Sequence, residues 1–210
     1  MTPNRERTAI HEAAHATMAH LVGRAPGAMS IIPALGYNGI CFFGRSRRVP
    51  QRDLAKLGAA LPLLPATLRR SVELDVMVAL AGPVAADMWW PSSGYGTTPD
   101  ELEAERLVQS LAPRAALTVR ERSTLAAAEA TPTFESDEST AWGMTEALNG
   151  DARIALAHLA TLREVTRALV EEPSFQRLVS RLARLVLRHR TVSARAVRAV
   201  FGERTSPAPD

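Results

Sequence analysis

The chain has 210 residues, of which 46% are hydrophobic and 22% charged, and these fractions exclude a disordered chain. The formal net charge of +3 is too small to indicate a nucleic-acid-binding protein by itself. Cys41 is the single cysteine, so no internal disulfide can form, and a reducing compartment is expected. No apolar run reaches the roughly 18 residues of a membrane span, and the N-terminal "MTPNRER" lacks a signal-peptide pattern. We therefore expect a cytoplasmic protein without a membrane partner.

The N-terminal part of the chain predicts one helix followed by two short strands. The helix is expected over 3–22, with Thr2 as its N-cap and Pro3 at its first position, and "GRAPG" ends it. The β-rich stretches 29–33 and 37–44 then predict two strands of a small sheet.

The remainder of the chain predicts mostly helices. The stretch 52–90 is expected to be helical with breaks at Pro62 and Pro65, and another helix is expected to begin near Pro99. The acidic, turn-rich stretch 129–140 predicts a linker or a mobile loop. Three further helices are predicted over 141–171, 174–189 and 193–201.

The first helix contains the motif His-Glu-x-x-His, formed by His11, Glu12 and His15. Residues i and i+4 of a helix lie on one face, so both imidazoles can bind the same ion. Catalytic zinc takes three protein ligands and a water, and Glu12 stands where a carboxylate can take a proton from that water. Chance gives roughly 0.01 such matches in a chain of this composition, so the motif predicts a zinc site rather than a structural pair of histidines.

The third zinc ligand is not part of the motif. A third histidine six residues after the second would define the metzincin class, but Leu21 occupies that position. A carboxylate from a distant part of the chain is therefore expected. The candidates are Asp75, Asp87, Asp100, Glu101 and Glu103.

Several segments resemble the peptidase domain of the FtsH family, the membrane-bound AAA zinc proteases. The stretch "HEAAHATMAHLVGRAPGAMSIIPALGY" is similar to the motif helix of that family and the strand after it. "VALAGPVAADMWW" resembles the family's "vaLaGraAEelvfG", and "GTTPDELEA" resembles its "tGA.nDl..At". The resemblance is good over 8–45 and 75–107 and poor over 108–170.

The resemblance implies site residues beyond the motif. It places the family's third zinc ligand on Asp100, and it places Ala86 and Asp87 where the family has paired glutamates. It also suggests that an edge strand holds the substrate backbone by strand addition, the other interpretation being a pair of core strands. The substrate-binding residues would be Ile40, Cys41, Phe42 and Phe43.

These observations predict a mainly α (α+β) fold, an FtsH-peptidase-like zincin domain with a small β-sheet or hairpin beside the motif helix. The expected organisation is a catalytic zinc-peptidase core, an acidic loop or linker, a C-terminal helical region packed on the core, and a disordered tail. Their ranges are 1–128, 129–140, 141–205 and 206–210.

The predicted function is a zinc-dependent metalloendopeptidase in which His11, His15 and Asp100 bind Zn²⁺ and Glu12 activates the attacking water. Because the sequence has no Walker-type loop, we expect ATP-independent hydrolysis of unfolded or flexible polypeptides. A homo-oligomer or a separate unfoldase is expected as the partner. The alternative is a non-catalytic binding or regulatory module of the same fold, with structural zinc or none.

A third interpretation is a nucleic-acid-associated factor that uses an arginine-rich face of the C-terminal region. No aromatic side chains are interleaved for base stacking, which argues against nucleic acid and favours a solvated face. The arginines of this face are Arg177, Arg181, Arg184 and Arg188.

Overall fold

The computed structural model describes residues 5–33, 38–44, 65–89, 116–130 and 136–202. Over these residues the protein is mainly helical with a small antiparallel sheet, as predicted. The helices are α1 Arg5–Leu21, α2 Ala66–Trp89, α3 Val119–Ala130, α4 Asp137–Asn149, α5 Ala152–Glu171, α6 Pro173–His189 and α7 Ala194–Val200. The strands are β1 Pro26–Ser30, β2 Ile40–Phe43 and β3 Thr191–Val192. None of the helices in these ranges is long and apolar enough to cross a membrane.

The motif helix α1 is held between α2 and α6. Alanines of α1 have no exposed surface, which lets the neighbouring helices approach its backbone closely. The apolar stripe predicted for α2 is buried against α1, and the apolar face of α6 is buried with it, while Arg177 and Arg188 of α6 are exposed. The α1 alanines are Ala9, Ala13, Ala14 and Ala16, and the α2 stripe is Val72, Val76, Leu80 and Val84.

A polar contact also joins the end of α1 to α2. Arg24 Nε lies 2.8 Å from Asp75 Oδ1, and Arg24 Nη2 donates to the carbonyl oxygen and the hydroxyl of Ser71 at 2.9 and 2.8 Å. Both charged side chains are about 15% exposed, so this ion pair is largely shielded from water. It fixes the end of α1 relative to α2.

The sheet has the order β2-β1-β3, and both pairings are antiparallel. Met29 in the central strand lies opposite Cys41 of the edge strand β2. The first strand lies three residues earlier than the predicted 29–33. The amide of Ile32 donates to Ser30 Oγ at 3.2 Å instead of to a neighbouring strand, and this local contact ends the ladder.

The single helix predicted over 141–171 is wrong, because the chain forms two helices there, α4 and α5. Gly150 ends α4 with φ of 66°, a left-handed conformation that glycine adopts without steric cost. Asp151 then caps α5 by accepting hydrogen bonds from the amides of Arg153 and Ile154 at 2.8 and 3.1 Å.

The acidic loop predicted over 129–140 also needs correction. Helix α3 ends inside this range, and α4 begins inside it at Asp137. The hydroxyl of Ser136 accepts from the amide of Ser139 at 3.1 Å, which makes Ser136 an N-cap. An acidic first turn after such a cap suits the helix dipole, so the composition that predicts a loop also fits a helix start.

Some predictions fall outside the described residues. These are the N-cap at Thr2 with Pro3, the helical stretch 52–64 with its break at Pro62, the helix near Pro99 and the tail 206–210. The break at Pro65 agrees with the structure, in which α2 begins at Ala66.

Candidate metal centre

His11 and His15 direct their imidazoles toward α2, from one face of α1. Their Nε2 atoms lie 3.0 Å apart, and their ring planes are inclined at 80°. The His15 side chain is 6% exposed and is therefore almost fully buried. The His11 side chain is 26% exposed, so one side of its ring faces solvent. The i, i+4 spacing on a helix therefore brings both ring nitrogens to one point.

Helix α2 approaches the two imidazoles at Gly82. A Cβ atom on this residue would lie 2.3 Å from His15 Nε2 and 2.7 Å from His11 Nε2, which is much closer than ordinary contact. Glycine inside a helix is less favourable than alanine by about 1 kcal/mol, so its presence in α2 needs a structural reason. The reason is that the two imidazole nitrogens lie where the side chain of any other residue at position 82 would begin.

A carboxylate from α4 completes a triangle with the two imidazoles. Asp137 Oδ2 lies 2.8 Å from His11 Nε2 and 3.2 Å from His15 Nε2. These three residues, which we call the His–His–Asp triangle, are the one group of three or more His, Cys, Asp or Glu side chains in the described ranges whose ligand atoms all lie within 4.8 Å of one another.

The second ring nitrogen of His15 has a partner of its own. Nδ1 donates a hydrogen bond of 2.7 Å to the carbonyl oxygen of Val78 in α2. Metal-binding histidines usually have such a partner, because it fixes the tautomer and the plane of the ring. With Nδ1 protonated, the Nε2 of a neutral His15 points its lone pair at the Asp137 carboxylate. This arrangement needs a cation, either a proton or a metal ion, between the two atoms.

The pKa values of the His–His–Asp triangle also show that a positive charge is favoured between the imidazoles and the carboxylate. Burial favours neutral His15, but the hydrogen bond to Asp137 and the charges of Asp137 and Glu12 outweigh burial and raise the pKa of His15 to about 9. Burial alone would raise the pKa of Asp137, but its hydrogen bonds to both imidazoles hold that pKa below its usual range. Burial lowers the pKa of His11. The Asp137 carboxylate is therefore ionised, and it favours one positive charge between itself and the imidazoles.

Glu12 lies beside the triangle and is only 5% exposed. Burial raises the pKa of its carboxyl group to about 8. The segment that leads into β2 passes directly over this side chain, since a Cβ on Gly39 would lie 2.8 Å from Glu12 Oε1 and 2.5 Å from Thr8 Cγ2. A confined carboxyl group whose pKa is near neutrality is suited to accept a proton and return it.

The donor atoms and their spacing fit zinc. Two imidazole nitrogens and one carboxylate oxygen are a known ligand set of catalytic zinc sites. Tetrahedral ligands about 2.0–2.1 Å from an ion are separated by about 3.3–3.4 Å. The separations here are 2.8, 3.0 and 3.2 Å. The ligand atoms therefore need to move apart by only about 0.1–0.6 Å to hold an ion.

The other predicted ligands do not join this site in the described part of the chain. Asp75 is paired with Arg24 at 2.8 Å, and Asp87 is paired with Arg7 at 3.0 Å. Both carboxylates therefore have structural partners away from the imidazoles. The candidates Asp100, Glu101 and Glu103 lie outside the described residues, so the assignment of Asp100 stays a prediction.

Asp137 is the site residue that the sequence prediction misses, because it assigns the acidic stretch to a loop. Two signals point to it. Ser136 is a favourable N-cap residue, and Asp137 is followed four positions later by Ala141. The same spacing joins Asp100 and Ala104 in the segment that resembles FtsH. The sequence thus offers two aspartates in this pattern, and the fold brings Asp137 to the histidines.

The predicted substrate-binding residues form β2, which lies beside α1. β2 pairs with β1 on one side and with no other strand in the described ranges, so its second edge is unpaired among these residues. Cys41 and Phe43 pack against the core, and all four residues are half-buried. Burial, together with the charges of Glu12 and Asp137, raises the pKa of the Cys41 thiol well above its usual value. The four residues are Ile40, Cys41, Phe42 and Phe43.

Comparisons with known proteins do not identify a family. No protein-family model matches the chain, and no curated protein is significantly similar to it. The resemblance to FtsH peptidases therefore depends on the short motifs quoted above. The geometry of the His–His–Asp triangle and Glu12 is the main indication of what the protein does.

Proposed function

We propose that the protein is a zinc-dependent metallopeptidase that hydrolyses unfolded or flexible polypeptides without ATP. The observation that carries this proposal is the convergence of His11, His15 and Asp137 beside the buried Glu12. An FtsH-peptidase-like zincin fold and a cytoplasmic location belong to the same proposal. In it, Asp137 takes the role that the resemblance assigns to Asp100.

Several residues of the chain would hold and orient a metal ion. His11 and His15 would bind through Nε2 and Asp137 through Oδ2, while the Val78 carbonyl orients the His15 ring. A bound Zn²⁺ would polarise the substrate carbonyl and acidify a water molecule. Gly82 would leave the space that the ion and its ligands require.

Glu12 would act as the general base and then as the general acid. It takes a proton from the attacking water and returns it to the nitrogen of the departing amine. Burial raises the pKa of Glu12 to about 8 in the metal-free protein, and a cation bound beside it would lower this pKa, so that the carboxylate could accept the proton. The Gly39 backbone lies against the carboxylate and restricts its movement.

The edge of β2 that has no partner strand among the described residues would align the substrate. A polypeptide that adds to this edge must be extended, because the pairing uses main-chain hydrogen bonds. This requirement supports unfolded or flexible segments as substrates. Folded substrates would need a separate unfoldase. A homo-oligomer would restrict the access of folded proteins to the site.

Zinc content and peptide hydrolysis test the proposal in wild type and three variants of the full chain. Wild type and Glu12→Gln should each contain about one zinc per chain, whereas Asp137→Ala should lose most of it. Asp100→Ala is the matched control, because Asp100 has the same chemistry and the same spacing to an alanine; it should keep zinc. Glu12→Gln should lose hydrolysis of a fluorogenic unstructured polypeptide by about 100-fold or more, since it keeps the ligands and removes the base.

The outcomes separate ligand assignment from mechanism. Zinc lost in Asp100→Ala and kept in Asp137→Ala would transfer the third ligand to Asp100. Full activity in Glu12→Gln would refute the mechanism, whichever aspartate binds the metal.

One observation favours a second candidate, a non-catalytic binding or regulatory module. A proton on His15 can satisfy the His–His–Asp triangle without a metal, because Asp137 Oδ2 is within hydrogen-bond distance of both imidazoles. A wild-type protein that binds no zinc after reconstitution, yet unfolds cooperatively, would establish this candidate over the peptidase.

A further inference from the structure

Four charged side chains from four helices form a continuous series of ion pairs near the His–His–Asp triangle. Arg7 Nη2 of α1 lies 3.0 Å from Asp87 Oδ1 of α2. Arg163 Nη2 of α5 lies 4.0 Å from Asp87 Oδ2 and 3.4 Å from Glu138 Oε1 of α4. We call these four residues the charged bridge.

The charged bridge joins the same two helices as the proposed metal ligands. Arg7 precedes His11 by one turn of α1, and Glu138 directly follows Asp137 in α4. The first four residues of α4 are not buried, and Ala141 is the first residue of this helix that enters the core. The position of Asp137 therefore depends on polar contacts of the first turn rather than on apolar packing.

We propose that Arg163 is a positioning residue for the metal site, which holds Glu138 and thereby keeps the first turn of α4, with Asp137, against the imidazoles. This inference rests on the proposed function, because it assumes that the His–His–Asp triangle binds zinc. Asp87 has a supporting role, since it links Arg163 to Arg7 and so to α1.

The proposal makes a prediction whose sign distinguishes it from a simple charge effect. The positive charge of Arg163 repels a nearby cation, so its removal by charge alone would tighten zinc binding. Its ion pair with Glu138 orders the turn that carries Asp137, so removal of that pair would weaken zinc binding. A partly exposed ion pair of this kind shifts an equilibrium by about two- to fivefold, and we expect ordering to be the larger effect.

Arg167 provides a matched control on the same helix. It lies one turn after Arg163, and its side chain is 48% exposed against 39% for Arg163. Its ion pair with Glu164, at 3.8 Å, stays within α5. Substitution of Arg167 therefore changes the charge of α5 without removing a contact to α4.

The experiment compares wild type, Arg163→Gln, Arg163→Lys and Arg167→Gln as full chains. Zinc affinity is measured by competition with a chromophoric chelator, and amide hydrogen exchange is measured on the metal-free proteins. Arg163→Gln should bind zinc about two- to fivefold more weakly, whereas Arg163→Lys and Arg167→Gln should match wild type. The amides of Ser139 and Thr140, which donate to Ser136, should exchange faster only in Arg163→Gln.

Each other result overturns the proposal. Unchanged or tighter zinc binding by Arg163→Gln would show that Arg163 acts through its charge alone or not at all. Equal weakening in Arg163→Gln and Arg167→Gln would indicate a general effect on α5. A wild-type protein that binds no zinc would overturn the proposed function and this inference together, whereas a zinc-binding wild type matched by Arg163→Gln would overturn only the inference.

Discussion

Replacement of Gly82 by alanine tests the close approach of α2 to the two imidazoles. The added Cβ would lie 2.3 Å from His15 Nε2 and 2.7 Å from His11 Nε2, whereas ordinary contact begins at 3.4 Å. The atoms must therefore separate by about 0.7–1.1 Å. His15 cannot simply turn away, because its Nδ1 is hydrogen-bonded to the Val78 carbonyl of the same helix that carries Gly82.

Two opposing effects set the expected magnitude. Alanine is the better helix former by about 1 kcal/mol, but overpacking of a closely packed interior costs about 1–3 kcal/mol. The Gly82→Ala variant should therefore lose up to about 2 kcal/mol of unfolding free energy. Its zinc affinity should fall by about 10- to 100-fold, which is the typical loss when the groups that orient metal ligands are disturbed.

Gly143 in α4 provides the matched control, because an added Cβ there would meet no atom within 4 Å. Gly143→Ala should gain about 0.5–1 kcal/mol of unfolding free energy and keep its zinc affinity. Urea denaturation of the metal-free proteins and zinc competition titrations measure both quantities. A Gly82→Ala variant that gains stability and binds zinc like Gly143→Ala would refute the packing argument.

Three further predictions concern the surroundings of the site. Asp75→Ala should lower the unfolding free energy by about 1–3 kcal/mol, because it leaves the shielded Arg24 without its carboxylate; a loss of zinc affinity as well would return Asp75 to the ligand candidates. The metal-free protein should lose stability as pH rises from 6.5 to about 9, because the pKa of Glu12 is raised to about 8 and that of His15 from 6.5 to about 9, while the lowered pKa of His11 opposes this trend only below 6.5. Both groups hold protons more tightly in the folded state, so their contribution declines as pH rises through those values; urea midpoints that are flat over this range in the presence of a chelator would contradict the assignment. Peptides with an N-methylated backbone amide next to the scissile bond should be cleaved about tenfold more slowly than unmethylated ones, and equal rates would argue against strand addition at β2.

Sequence and structure agree best where a local pattern decides the conformation. The first helix is predicted over 3–22 and found as Arg5–Leu21, and the apolar stripes predicted for α2 and α6 are buried. Helical periodicity depends on residues three and four positions apart, so one short window of sequence contains the whole signal. The same locality makes the pairing of His11 and His15 predictable.

Features that depend on distant contacts are predicted less well. The strand β1 ends earlier than predicted because Ser30 Oγ accepts the amide of Ile32, and β3 is a two-residue strand defined only by its pairing with β1. Asp137 is separated from His11 by 126 positions. No local window joins these two residues, and the choice between Asp137 and Asp100 depends on how α4 packs on α2.

The position of α1 in the core has a consequence for biosynthesis. The ribosome makes this helix before its packing partner α6 and before the strand β3, because both lie later in the chain. A growing chain therefore displays two imidazoles long before the Asp137 carboxylate and the covering helices exist. In the proposed peptidase this order would protect neighbouring nascent chains, because the site stays incomplete until Asp137 and α6 have been made.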